Sequence, residues 1–135
     1  MTRIRAFQTL VITSALLYLA WMLLPYAPRT FPHEVQDILA WSGYGGEPWV
    51  KDPRFYLAIG AGKLIASLGL VLFLSWGRWL LLAVVAISLA SVPFAGVVIG
   101  VPLDNLVGYF LSLTDGAILA LAFSSPIAEA MHKDA

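Results

Sequence analysis

Four polar residues lie in stretches of sequence that are otherwise strongly apolar, and their side chains offer the most chemistry. Lys63 interrupts an apolar stretch over about residues 55–76, while Asp104, Asn105 and Asp115 belong to a later one. A lysine or aspartate at the centre of a membrane helix costs roughly 2.5–3.5 kcal/mol, so such residues usually face the protein interior and find partners. The sequence therefore predicts an ion pair between Lys63 and an aspartate.

The depth of each residue along its helix favours one aspartate over the other. At a rise of 1.5 Å per residue, Lys63 lies about 12 Å, Asp115 about 20 Å and Asp104 about 3 Å from the outer ends of their helices. Asp104 can be hydrated at the surface, whereas Asp115 has no other cation in the apolar stretches. We expect Lys63 to pair with Asp115, with Asp104 as the alternative. Such a pair either pins two helices together or forms a site coupled to a proton or a substrate.

The sequence lacks most of the residues that form metal, haem or nucleophilic sites. The chain has no cysteine, and its two histidines, His33 and His132, lie outside the apolar stretches. We therefore predict no metal, no haem and no other cofactor. Ser67 is the one local serine that Lys63 could activate, which makes an enzyme acting on a lipid the third choice of function. The net charge of zero argues against a nucleic-acid partner.

Small residues recur at four-residue spacing in the apolar stretches, as is typical of closely packed membrane helices. The predicted packing positions are Gly62, Gly96, Gly100, Gly108, Ser112 and Gly116. The longest stripe, which includes Gly108, Ser112 and Gly116, packs either inside one bundle or against another protein.

The elements that position these residues follow from composition. Hydrophobic residues make up 60% of the 135 residues, charged residues 12%, and the mean hydropathy is +0.84, whereas soluble domains carry about 25% charge. Four apolar stretches are long enough to cross a bilayer as helices: about 6–26, 55–76, 79–100 and 103–123. The predicted fold is an all-α integral membrane protein, an antiparallel bundle of four transmembrane helices in a single domain over residues 1–135.

The connections between the predicted spans differ in length. The outer loop, 27–54, contains a pattern for a short helix at the membrane surface over 32–41, with Gly43 as its stop. Tight turns are predicted at 75–78 and 100–103, and Pro93 predicts a kink in the third span. We expect the first span to be retained rather than cleaved as a signal peptide.

The basic residues predict the orientation. With both termini inside, Arg3, Arg5, Arg78 and Lys133 are cytoplasmic, against Arg29, Lys51 and Arg54 outside. Because the first helix usually dominates, the pair near the N-terminus favours this arrangement. Aromatic residues gather at the predicted outer boundary, as interfacial anchors or as a site for a lipid or quinone head group: Trp21, Tyr26, Phe31, Trp41, Tyr44, Trp49, Phe55 and Tyr56.

Over about half its length the chain resembles the DoxX-like group of small bacterial four-helix membrane proteins. The resemblance rests on the segment Ile59-Gly60-Ala61-Gly62-Lys63-Leu64, the turn Trp76-Gly77-Arg78, a third helix rich in small residues and an acid in the fourth. It implies a small membrane protein, or a subunit associated with a quinone-linked oxidoreductase, in the bacterial inner membrane.

The sequence favours two functions. The first is a non-enzymatic accessory or assembly subunit of a membrane complex, or a homo-oligomer, surrounded by membrane lipid. The alternative is a small transport protein, or a lipid- or quinone-binding protein, whose site is lined by Lys63, Asp104, Asn105 and Asp115.

Overall fold

The regular secondary structure is helical in the computed structural model, which describes residues 2–23, 32–99, 102–124 and 127–129. The helices are α1 (Thr2–Leu23), α2 (His33–Ala40), α3 (Pro48–Lys51), α4 (Pro53–Val71), α5 (Ser75–Ser91) and α6 (Pro102–Ala122), with a 3-10 turn at Val92–Phe94. Four segments are long and apolar enough to cross a membrane: three lie within α1, α4 and α6, and the fourth, Ser75–Phe94, consists of α5 and the 3-10 turn that follows it. The prediction of an all-helical fold with four such helices is confirmed.

The four long helices pack around a core that occupies one end of the assembly. α4 packs most extensively on α5, and α1 packs on α6 and α4, whereas α5 and α6 make the smallest contact between neighbouring long helices. The buried side chains come from the start of α1 and α5 and the end of α4 and α6, together with a residue beyond α6: Phe7, Val11, Ala66, Leu70, Leu81, Ile118, Ala122 and Ile127. The opposite end, near residues 53–60 and 102–110, contributes nothing to this cluster.

The turn between α4 and α5 lies earlier than the sequence predicted. α4 ends at Val71 and α5 begins at Ser75, so Gly77 and Arg78 belong to a helix instead of a turn. Phe73 adopts the positive φ of the turn, at 57°. Gly77 instead serves helix packing, because a Cβ on it would lie 2.8 Å from the carbonyl carbon of Gly69 on α4.

The α-helix of the third predicted span ends early, two residues before Pro93. The predicted span reached residue 100 with a kink, but α5 stops at Ser91 and the chain continues into the 3-10 turn. Proline lacks the N–H that would continue the helix, and here the chain turns away instead of resuming it. Gly96 consequently lies outside any helix, with φ at +74°, so its predicted role in helix packing is wrong. Gly100 lies outside the described residues.

Backbone hydrogen bonds tie part of the predicted outer loop, residues 41–47, to residues 94–97, which follow α5. We call these two bonded segments the outer clasp. The Gly43 amide donates to the Val97 carbonyl at 2.6 Å, and the Val97 amide donates to the Tyr44 carbonyl at 3.0 Å. The Glu47 amide donates to the Phe94 carbonyl at 2.9 Å. The clasp therefore fixes the loop to the end of α5. The predicted short helix is present as α2, whereas α3 was not predicted.

The outer clasp requires glycine where its two segments meet. A Cβ on Gly96 would collide with the backbone of Gly46 and would lie 2.5 Å from the Tyr44 carbonyl oxygen. Gly45 also has a positive φ, at +76°, but a Cβ there would meet no atom within 4 Å. The two glycines thus share the conformational requirement and differ in the space around them.

This difference predicts unequal effects of alanine. Both Gly45→Ala and Gly96→Ala force an L-residue into a left-handed conformation, which costs about 1–2 kcal/mol. Gly96→Ala adds a backbone collision, so we expect a clearly larger loss of unfolding free energy. Thermal unfolding of both variants in the same detergent measures the difference. Equal losses would mean that the close contact in the outer clasp does not exist.

Candidate functional site

A buried ion pair joins α4 to α6. Lys63 Nζ lies 2.6 Å from Asp115 Oδ2, and the exposed fractions of the two side chains are 6% and 13%. The partner that the depth argument favoured is the one that the structure contains. The side chain of Asp104, the alternative partner, lies outside the described residues.

Two side chains of α1 complete the surroundings of the pair. Ser14 donates a hydrogen bond from Oγ to Asp115 Oδ1 at 3.0 Å, and Lys63 Nζ lies over the Tyr18 ring at 4.8 Å from its centroid. Ser14 and Tyr18 share one face of α1 because they are four residues apart. The ion pair therefore brings three helices together.

Gly60 makes room for this arrangement. It lies three residues before Lys63 on α4, and a Cβ there would lie 2.8 Å from Tyr18 Oη. The phenol therefore occupies space that a side chain on α4 would fill. Sequence reasoning assigned no role at this site to Ser14, Tyr18 or Gly60. Serine is common in membrane helices and a tyrosine near a boundary suggests an anchor, so neither residue type signals the contact.

The positive charge of Lys63 and the negative charge of Asp115 neutralise each other. Asp115 accepts from Lys63 on one oxygen and from Ser14 on the other. In a medium of low dielectric constant a charge without a partner is costly, and breaking a buried pair typically costs about 3–5 kcal/mol. Lys63 does not hold the Ser67 hydroxyl as a base would, because Ser67 Oγ donates its hydrogen bond to the Lys63 backbone carbonyl oxygen at 2.9 Å.

Beside the ion pair lies a cavity of about 510 Å³. Its walls come from all four long helices: Tyr18 and Trp21 of α1; Phe55, Tyr56, Ile59 and Lys63 of α4; Val84, Val85, Ser88 and Leu89 of α5; and Gly108, Leu111, Ser112, Asp115 and Gly116 of α6. The two serines donate to carbonyl oxygens of their own helices. Lys63 and Asp115 are thus the charged groups on a mostly apolar wall.

The small residues of α6 line this cavity instead of packing against a neighbour. A Cβ on Gly108 or on Gly116 would meet no atom within 4 Å. Close packing of these two glycines against a helix of this chain is therefore wrong. Ser112 is exposed and lines the cavity as well. Packing of the stripe against another protein stays a prediction. Gly62 does lie at a close contact, since a Cβ there would be 2.9 Å from Val84 Cγ2.

Asn105 does not join the other predicted site residues. It is exposed near the start of α6 and is not among the residues that line the cavity. Ten residues separate it from Asp115, which is about 15 Å along a helix. The structure thus brings Lys63 and Asp115 together and leaves Asn105 apart.

The ion pair generates a prediction for a double-mutant cycle. Lys63→Met should lower the free energy of unfolding by about 3–5 kcal/mol, because it leaves the Asp115 carboxylate without its cation. Adding Asp115→Asn to Lys63→Met should restore part of the loss, since the amide carries no charge. Denaturant or thermal unfolding of the parent, both single variants and the double variant gives the coupling energy. Additive effects would show that the two residues do not interact.

Comparison with family models, with curated proteins and with solved structures finds no match to this chain. The resemblance to the DoxX-like group therefore stays a prediction, and the function is argued from the site alone.

Proposed function

We propose that this protein is an integral membrane protein that binds a small, mostly apolar ligand in the cavity beside Lys63 and Asp115. The observation that carries the proposal is a buried ion pair on the wall of a cavity of about 510 Å³. Ligand pockets commonly measure about 300–1,000 Å³ and combine apolar walls with a few placed polar groups. A pair that only fastened two helices would need no cavity beside it.

The surface of the long helices supports a membrane location. Leucines on all four are exposed, among them Leu16 at 61%, Leu68 at 60%, Leu89 at 67% and Leu113 at 71%. Apolar surface of this extent is unfavourable in water and favourable against lipid. The four helices then cross the bilayer, and the polar outer clasp stays at its surface.

The hydrophobic core supports an antiparallel bundle. Phe7 near the start of α1 belongs to the same buried cluster as Leu70 near the end of α4, Leu81 in the first half of α5 and Ala122 at the end of α6. These residues share one level of the bundle when the starts of α1 and α5 and the ends of α4 and α6 lie on one side of the membrane. With the basic N-terminus inside, both termini are cytoplasmic, and the resemblance suggests a bacterial inner membrane.

The other expected functions stay predictions. An accessory or assembly subunit, or a homo-oligomer, would use an exposed helix face, and the α6 face with Ser112 and Gly116 is one that a partner helix could fit. Transport would need the cavity to open to both sides of the membrane in turn. Ligand binding is favoured because the cavity and the charged pair lie within one chain.

Filling the cavity should remove the ligand. Ser88 lines the cavity, so Ser88→Leu places an apolar side chain in the space where the ligand binds. Ser91 is the matched control, because its Oγ also donates to a carbonyl of its own helix and it is outside the lining. Protein is extracted from membranes in a mild detergent, and native mass spectrometry measures bound small molecules. We expect a bound molecule on the parent and on Ser91→Leu, and a large loss on Ser88→Leu.

Two results of that experiment would contradict ligand binding. One is a parent protein that carries no small molecule from the membrane. The other is retention of the molecule by folded Ser88→Leu at the level of the parent. A stoichiometric second protein in place of a small molecule would favour the accessory-subunit prediction.

The orientation predicts which positions react from outside the cell. The chain has no cysteine, so single cysteines report individual positions. Asp37→Cys in α2 should react with an impermeant thiol reagent in intact cells, whereas Thr2→Cys and Ala135→Cys should react after the membrane is opened. Labelling of position 2 or 135 in intact cells would reverse the proposed orientation.

A further inference from the structure

The hydrogen bonds at the ion pair restrict what a ligand can offer it. Asp115 has a partner on each oxygen, Ser14 on Oδ1 and Lys63 on Oδ2. An ammonium group has three N–H donors. Among the described residues, Lys63 Nζ donates one hydrogen bond, to Asp115. Each Asp115 oxygen already has a partner and could accept one more hydrogen bond, whereas Lys63 has N–H donors left over. Because an N–H of a charged group without an acceptor is costly when buried, the stronger requirement at this wall is for a hydrogen-bond acceptor.

The charge of the pair restricts the ligand further. Lys63 and Asp115 balance each other, and both are largely buried. An anionic head group near Lys63 would also lie near the Asp115 carboxylate, while a cationic one would face Lys63. Both carry a desolvation penalty at a wall that is otherwise apolar. A neutral acceptor, such as an ester or ketone carbonyl, takes a hydrogen bond from Lys63 without disturbing this balance.

The exposed wall of the cavity shows where the rest of the ligand would lie. Ser112 and Gly116 of α6 and Leu89 of α5 line the cavity and are exposed, and α5 and α6 make the smallest contact between neighbouring long helices. The opening between α5 and α6 faces lipid if these helices span the membrane. The opposite wall, between α1 and α4, carries the larger side chains of Tyr18, Trp21 and Tyr56, which also line a second, smaller cavity of about 300 Å³.

We infer that the ligand is a neutral, membrane-dissolved molecule with a single carbonyl-type acceptor, whose head accepts a hydrogen bond from Lys63 and whose apolar chain leaves through the opening between α5 and α6. This inference rests on the proposed ligand binding and adds the ligand's class and orientation. The small residues of α6 leave the space for the chain, which explains why Gly108 and Gly116 meet no neighbour.

The test uses three photoactivatable probes with the same diazirine-bearing alkyl chain. One ends in a methyl ester, one in a sulfonate and one in a methyl group. Parent protein in phosphatidylcholine vesicles is irradiated with each probe, and peptide mass spectrometry locates the label. We expect saturable labelling of α5 and α6 residues at the cavity, competed by unlabelled ester. The ester should half-saturate at a mole fraction at least about tenfold below the methyl-ended probe, since a hydrogen bond to a charged group is worth that factor.

Two leucine variants of α6 test the position of the chain. Gly116→Leu should abolish the saturable labelling by filling the opening, whereas Ala117→Leu should leave it unchanged. Ala117 is exposed on the same helix and is outside the cavity lining, so it controls for the added volume. Circular dichroism and size-exclusion chromatography confirm that both variants fold.

The outcomes separate the inference from the proposed function. Equal affinity for the ester and the methyl-ended probe, or tighter binding of the sulfonate, would overturn the neutral acceptor while leaving ligand binding in place. Unchanged labelling of Gly116→Leu, or a change in its oligomeric state without loss of labelling, would overturn the position of the chain. The absence of saturable labelling by all three probes would overturn both the inference and the proposed function.

Discussion

The contact between Lys63 Nζ and Asp115 Oδ2 places two charges inside the bundle, and the neighbouring helices must supply partners for both. Two opposite charges in an apolar surrounding are tolerated when each has a partner and the remaining polar atoms are hydrogen-bonded. Ser14 of α1 supplies the second hydrogen bond to the carboxylate, and the Tyr18 ring covers the ammonium group. The lack of a side chain at Gly60 lets the tyrosine reach that position. One polar contact thus fixes the relative depth of α1, α4 and α6.

The two ends of the bundle are packed differently. Glycines allow close helix contact at one end and border a cavity towards the other. At the end that contains the α4–α5 turn, Gly69 and Gly77 let two helices come close, and the side chains of the hydrophobic core fill the space between helices. Towards the other end, Gly108 and Gly116 border a cavity instead. The outer clasp holds the loop at that end to the segment after α5. The protein therefore combines a closely packed end with an end that contains a cavity.

Hydropathy and charge were enough to predict the helices and the ion pair. Apolar length identified the four long helices, and the cost of an unpaired charge together with helix rise identified Asp115 as the partner of Lys63. Glycine was where sequence reasoning failed, because a missing side chain allows a turn, a close helix crossing or an empty space. Gly77 was assigned to a turn but lies at a helix crossing, and Gly96 was assigned to a helix but lies in the clasp. Gly116 was assigned to a helix contact, but within this chain it borders the cavity. Which of the three occurs depends on the neighbouring segment, which the local sequence does not specify.

The most direct test of this account is a solid-state NMR measurement on the protein in lipid bilayers. Selective labelling with 15N at Lys63 Nζ and 13C at the Asp115 carboxylate gives the dipolar coupling between the two groups. The account predicts a measurable coupling, because the 2.6 Å contact between Nζ and Oδ2 places the labelled carboxylate carbon only one bond beyond the oxygen that Lys63 contacts. A lysine without measurable coupling to Asp115 in the bilayer would contradict the account, because the arrangement of three helices and the polar wall of the cavity both depend on that contact.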